Sequence, residues 1–208
     1  MVVTFEACGE ENAYYDPSDR SVSLCYELID RYVQELGDSS ELALDEAGSE
    51  QATSDAADSE TSAAIDLETA ALDATLFHEL GHAFVDILEL PITGPEKDVV
   101  DEFAAVLLLW IEDEQSVLAG IDQFAVDAIE EESFDEIPYW DEHGLSAQRL
   151  YNTTCFLYGS DPDYWEELVD EEEGLPPERA ELCPEEYERK SEHWQRLLEP
   201  FLKADMEP

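Results

Sequence analysis

The sequence predicts an α+β fold, mainly helical, with a small strand element at its N-terminus. Three observations carry that expectation. Residues 2–8 (Val-Val-Thr-Phe-Glu-Ala-Cys) are rich in β-branched and aromatic residues, the composition of a strand. From Ser21 onward apolar residues recur at helical spacing. Proline and glycine fall where such periodic stretches would end, as at Gly37, Pro91 and Gly159.

Taken in order, Gly9 to Asp19 reads as a turn region holding Asn12, Asp16 and Pro17. Ser21 to Leu36 carries Leu24, Leu28, Ile29, Tyr32, Val33 and Leu36 on one helical stripe, and Gly37 is a natural stop. From about 38 to 60 the chain is small, polar, acidic and free of aromatics, which predicts a mobile acidic insertion. A long helix is expected from about Thr61 to Leu90, ended by Pro91. Pro95 and Glu96 suit the first turn of a second helix running to about Glu114. A third covers roughly 116–131, residues 133–144 are irregular and aromatic, and Leu145 to Tyr158 is helical again. The remainder reads as helical pieces broken at Gly174–Pro177 and at Pro184. No internal repeat interrupts this order, and 208 residues with 44% hydrophobic content fit a single domain, 1–208, with its own core.

The charge is the unusual quantity: 55 acidic against 9 basic residues, a formal net charge of −46. An acidic tail would concentrate it at one end, whereas here it runs through the chain. A disordered acidic chain would lack aromatics, whereas this one has 4 Trp, 9 Tyr and 8 Phe. A folded protein from a salt-rich cytoplasm or brine remains, because screening shortens to roughly 3 Å at 1 M salt and relieves self-repulsion. Such a surface excludes nucleic acid and anionic membrane as partners. No run approaches the ~18 apolar residues that span a bilayer; the longest, 103–111, reads as a buried helix. Met1-Val2-Val3-Thr4 leads straight into domain-like sequence, so the expectation is an intracellular protein or a mature form without its signal peptide.

Four cysteines stand at 8, 25, 155 and 183, none in a Cys-x-x-Cys pair, so a structural zinc site of usual spacing is not expected. Two near each end permit local pairing, Cys8 with Cys25 and Cys155 with Cys183. Four free buried thiols are the alternative.

Chemistry enters at His78-Glu79-Leu80-Gly81-His82. Two imidazoles at i and i+4 share a helix face about 5–6 Å apart, the separation that two ligands of one tetrahedral zinc need. Glu79 beside them is placed to act as general base on an activated water. With 4 His in 208 residues, a chance match to this pattern is roughly a one-in-a-hundred event. Two surface histidines on an amphipathic helix are the plainer alternative. Leu72, Leu76, Leu80, Phe84, Val85 and Leu88 argue against it by burying the helix.

A catalytic zinc takes a third protein ligand and keeps one open position. The next helix offers Glu96, Asp98, Asp101 and Glu102, just before the apolar run from Phe103. Asp98 is the favoured ligand, with Asp101 as the partner that orients a ligand histidine. Glu96 and Glu102 stay open as ligands, and in a chain with 55 acids any one of these carboxylates could be plain solvated surface. For stabilising an oxyanion the candidates are His143, Arg149, Tyr151 and Tyr158. Arg149 stands out by the scarcity of basic residues; a structural ion pair with a buried carboxylate is its alternative. His143 has a surface histidine as its alternative, and His193 looks peripheral.

These residues resemble a bacterial and archaeal family of zinc metallopeptidases that carries only a placeholder name and whose activity is inferred from its motif. The resemblance runs through Cys8-Gly9-Glu10-Glu11-Asn12-Ala13-Tyr14-Tyr15-Asp16-Pro17, Leu24-Cys25-Tyr26-Glu27-Leu28, Phe77 to Ala83, Leu90-Pro91 and Asp98-Val99-Val100-Asp101. It continues in His143, Gln148-Arg149, Tyr151-Asn152, Cys155, Tyr158 to Pro162, Arg179-Ala180 and Cys183. It covers nearly the whole chain outside the acidic insertion. It implies a zincin-like core, and it implies that both cysteine pairs are disulfides and hence that the protein is exported or at the cell surface. A cytoplasmic protein of a halophile is the alternative. A looser similarity links the two core helices to repressor-cleaving zinc peptidases, which pair His-Glu-Leu-Gly-His with a later Phe-Ala-Ala-x-Leu-Leu. Their third ligand is a glutamate at the position where this chain has Lys97, which cannot ligate. Glu102 stands at a spacing from His82 similar to that of the thermolysin class.

The expectation is therefore a zinc-dependent peptidase acting on a peptide or protein substrate. One Zn2+ is held by His78, His82 and Asp98, Glu79 is the base, and His143 or Arg149 serves the oxyanion. A non-catalytic, zinc-stabilised binding module is the alternative, and a non-peptide amide is a further substrate class.

Overall fold

The computed structural model describes residues 1–34, 54–134, 137, 139–140, 142–171 and 174–202, with backbone alone for 54–66. The chain opens on three short strands, β1 (Val2–Glu6), β2 (Ala13–Asp16) and β3 (Ser21–Cys25), in the order β1-β3-β2. β1 runs parallel to β3 and β2 antiparallel to it. Helices follow: α1 (26–34), α2 (Ser54–Ile87), α3 (Glu96–Trp110), α4 (Glu114–Glu132), α5 (Ser146–Ser160), α6 (Pro177–Ala180) and α7 (Cys183–Leu198). The architecture is thus α+β and mainly helical, with the sheet at the N-terminus.

Two strands depart from the sequence expectation. β2 lies within the stretch read as a turn, and β3 within the stretch read as the start of a helix. Ser-Val-Ser-Leu-Cys fits either period over five residues. Pairing decides the outcome, because β3 is the central strand, with Val22 to Cys25 buried. α1 takes over only at residue 26. The backbone of 54–60, expected in the acidic insertion, is the first part of α2. The rest of that insertion lies outside the described residues. α2 ends near Ile87, before Pro91, as Glu89 takes a left-handed φ of 51° and the Leu90 amide donates to the Val85 carbonyl. Asp113 caps α4, accepting from the Ser116 amide at 3.2 Å.

Among the described residues the core has four apolar clusters, three of them joined through α2 and α3 and a fourth around Cys155, Leu175, Ala180 and Cys183. Leu24, Leu28, Tyr32, Ala71 and Ala119 pack the sheet and α1 onto α2 and α4. Leu108, Val117, Phe156 and Leu157 join α3, α4 and α5. Phe103, Val106, Trp194 and Leu198 join α3 to α7, with Phe103 in edge contact with Trp194 and Phe84 at 5.0 and 5.3 Å between centroids. Burying Phe103 alone is worth about 2–3 kcal/mol. Disulfides join Cys8 to Cys25 and Cys155 to Cys183, the pairing the resemblance implied. The first ties the end of β1 to β3 and the second ties α5 to α7. Each stabilises by about 3 kcal/mol in the chain-entropy model. No helix among the described residues is long and apolar enough to cross a membrane.

Candidate metal centre

α2 carries His78 and His82 one turn apart, with ring centroids separated by 5.1 Å. Their partners come from α3, and Gly81 lets α3 approach. A Cβ at Gly81 would lie 2.7 Å from Val100 Cβ and 3.1 Å from Phe103 Cδ1, so any side chain there would push the two helices apart. In the close packing that results, Asp101 Oδ1 sits 2.6 Å from His78 Nδ1, and Glu96 Oε1 sits 2.7 Å from His82 Nδ1.

Asp101 is held on its other side by Arg149, whose Nε and one terminal nitrogen donate to its two oxygens at 2.6 and 2.9 Å. Burial alone would raise the Asp101 pKa. The hydrogen bonds from His78 and Arg149 outweigh burial and hold it at about 2. An ionised carboxylate only accepts, so the hydrogen of the His78 ring resides on Nδ1 and the lone pair on Nε2. Glu96 gives His82 the same orientation. His82 Nε2 is then a buried polar atom with no hydrogen-bond partner among the described residues. Buried polar atoms are seldom left so, and this one faces the other donors. One ligand atom each from His78, Glu79 and His82 all lie within 4.8 Å of one another. Two imidazole nitrogens with lone pairs free, a carboxylate beside them and carboxylates behind both rings form a donor set that fits a metal ion.

Glu79 is 5% exposed. Burial raises its pKa; electrostatic attraction to His78 and Lys97 and the backbone amide of Tyr15 pull the other way. Strand register explains the Tyr15 contact. The Cys25 amide donates to the Asn12 carbonyl, so residues 12, 14 and 16 bond across to β3 while Ala13 and Tyr15 turn their backbone groups to the free side. That side faces α2, where the Tyr15 hydroxyl also donates to Asp86 at 2.8 Å. β2 is therefore a site element that sequence reasoning missed. Tyr14-Tyr15 between Asn12 and Pro17 was its one signal, too short to separate from a turn.

The other candidates fall into two groups. Near the centre, the His143 ring lies over His78, stacked at 24° with centroids 6.3 Å apart. Asp98 does not join the His78–Glu79–His82 group; its Oδ1 accepts from the Gly144 amide at 3.2 Å, anchoring the loop that carries His143. A Cβ at Gly144 would stand 3.0 Å from that oxygen, so glycine allows the anchor. Arg149 reaches the centre through Asp101, and its guanidinium lies over the Phe124 ring at 4.1 Å. Away from the centre, Glu102 accepts from Lys190 and, at 3.0 Å, from the Trp194 indole. Tyr151 is exposed, Tyr158 packs beside the Cys155–Cys183 disulfide, and His193 is exposed on α7.

Among family models, one described as "DUF4344: Putative metallopeptidase" matches residues 1–198. No curated protein and no solved structure matches the chain.

Proposed function

Because the chain belongs to the DUF4344 family, we propose that it is a zinc-dependent peptidase whose centre is His78, Glu79 and His82. The observation that carries this is the partnerless His82 Nε2 beside a buried glutamate, with both histidines fixed through Nδ1 by carboxylates. One zinc would be held by His78 and His82. When bound it supplies a Lewis acid that lowers the pKa of a coordinated water toward ~7. Glu79, raised in pKa by burial, accepts the proton of the attacking water and hands it to the leaving amine. The Tyr15 amide keeps the Glu79 carboxylate aimed. Asp101 and Glu96 hold the two rings, and Arg149 acts through Asp101 as a positioning residue rather than by touching substrate.

The third ligand comes from the unit formed by Asp98, Gly144 and His143. Asp98 is the ligand the sequence favours, and His143 is the ring nearest His78. Asp98→Asn keeps an acceptor for the Gly144 amide and removes the charge. Zinc affinity that survives this change and falls with His143→Ala assigns the ligand to His143. The converse assigns it to Asp98 and leaves His143 to the oxyanion.

The deciding experiment is Glu79→Gln, which keeps size and discards the base. Zinc content and melting temperature are expected to hold while hydrolysis of a peptide pool falls by at least about a hundredfold. Residual activity within tenfold of the unmodified protein removes Glu79 as the base. Zinc binding without any Glu79-dependent cleavage leaves a zinc-stabilised binding module. Two disulfides support a protein that works outside the reducing cytoplasm, and the charge of −46 supports a salt-rich setting.

A further inference from the structure

A cavity of about 190 Å³ runs from His78 and Glu79 into the helical bundle. Its α2 wall is one helix face, Ala71, Ala74, Thr75 and His78. Seven residues at 1.5 Å each give it a depth of roughly 10 Å. Protein interiors rarely keep voids larger than a water molecule, so a space of this size next to the centre needs a cause. The cause is a wall of small residues from three helices: Ala71, Ala74, Ala104, Ala105, Ala119 and Gly120. Leu28, Leu108, Val117 and Phe124 add larger apolar side chains to the lining.

Several polar groups in the wall are already engaged with one another. Tyr32 shares a hydrogen bond of 2.7 Å with Thr75, which also donates to the Ala71 carbonyl. Arg31 pairs with Asp127 at 3.0 Å, and Gln123 donates to the same oxygen at 2.9 Å. Arg149 is spent on Asp101. A charged guest would lose its water; an acidic one would also face Asp101, Asp127 and Glu79, and for a basic one two of the lining carboxylates, Asp101 and Asp127, are already paired with arginines. An apolar guest meets no such cost. An apolar cavity of about 150 Å³ accommodates benzene, so this one has room for a side chain up to aromatic size.

We infer that this cavity receives an apolar side chain of the substrate, of leucine to phenylalanine size, next to the bond that is cut. The inference rests on the peptidase reading above and names the substrate class for it. Gly120 and Ala74 face each other, with a Cβ at Gly120 falling 3.4 Å from Ala74 Cβ. That is van der Waals contact between α2 and α4 at the edge of the cavity, and leucine at either position would extend from it into the space.

The test is cleavage-site profiling of a mixed peptide library by the full-length, zinc-loaded protein in molar KCl. Leu, Met, Phe or Tyr should be enriched at one position flanking the cut by at least about tenfold over Gly and Asp. Gly120→Leu and Ala74→Leu should each reduce that enrichment at least about fivefold while keeping one zinc per chain and a cooperative melt. A flat profile, enrichment of Lys or Arg, or an unchanged profile in a folded variant overturns the pocket. Toluene separates this failure from failure of the peptidase reading. A saturable rise in melting temperature, lost in the folded leucine variant, is expected. That rise without any cleavage condemns the peptidase reading alone, and its absence condemns the pocket.

Discussion

Asp101 and Glu102 are neighbours on α3, both largely buried and both paired with a basic side chain, yet they serve different parts of the molecule. Asp101 turns toward α2 and α5, where His78 and Arg149 share its oxygens. Glu102 turns toward α7, where Lys190 and Trp194 share its oxygens. The α2–α3 face holds a histidine ring in one tautomer and leaves its other nitrogen available. The α3–α7 face ties a terminal helix to the core beside Phe103. A buried ion pair is therefore no sign of a site by itself. What marks the site is a third group whose chemistry the pair fixes.

The largest expected effect breaks the comparison at that third group. His78→Ala should abolish zinc uptake, from one ion per chain to none, read by metal analysis after titration and dialysis. Uptake that persists at full stoichiometry removes the α2 centre and with it the distinction between the faces.

Next come the two acids themselves. Asp101→Asn should lower zinc affinity about 10–100-fold, because the His78 ring exchanges a charged acceptor held by Arg149 for a neutral one. Glu102→Gln should leave affinity within about twofold, since it touches no motif residue. Competition with a chromophoric chelator measures both, and equal losses would mean that α3 acts as one structural unit. Acid titration of the zinc-free protein sharpens the contrast. The Asp101 pKa is depressed to about 2, so its stabilisation is complete above the unfolded value near 4 and is lost as pH falls through 2. It amounts to about 2 kcal/mol, and Asn at 101 should erase that part of the acid transition.

A smaller effect is expected in stability. Glu102→Gln keeps an acceptor for the Trp194 indole and weakens only the Lys190 contact, so denaturant unfolding should report a loss of about 1 kcal/mol. A loss above about 3 kcal/mol would mean an unpaired buried charge and would make the α3–α7 face the more strongly coupled one.

Salt gives the smallest differential. Unfolding midpoints of the parent and both variants should rise from 0.1 to 2 M KCl, as the repulsion within a chain of −46 is screened. The deficit of Asp101→Asn should stay constant, because that pair is only 15% and 11% exposed. The deficit of Glu102→Gln should shrink, because its lysine is 32% exposed. A parent midpoint that stays fixed or falls would leave the acidity without a halophilic explanation.

Much of the helical framework could be read from the chain. Pro95 and Glu96 mark the start of α3, the apolar run from Phe103 to Leu109 marks its buried stretch, and Asp161 follows the end of α5. β2 and β3 could not be read, because strands of four and five residues carry too little pattern to outweigh neighbouring turn and helix signals. The four carboxylates offered as a third ligand could not be separated either. Glu96, Asp98, Asp101 and Glu102 are alike in type and spacing, and in space they face His82, Gly144, His78 and Lys190 respectively.

By itself the sequence determined the His78–Glu79–His82 spacing and the helix that carries it, because both follow from local geometry at 3.6 residues per turn. It also determined the charge and the cysteines available for pairing. Only the tertiary structure decided which carboxylate stands behind which ring, that Asp98 anchors the His143 loop, and that the Tyr15 amide reaches Glu79. Those contacts join residues from 14 to 64 positions apart in the chain. They depend on how closely α3 packs at Gly81 and on which edge β2 leaves free, and neither is encoded within any one segment.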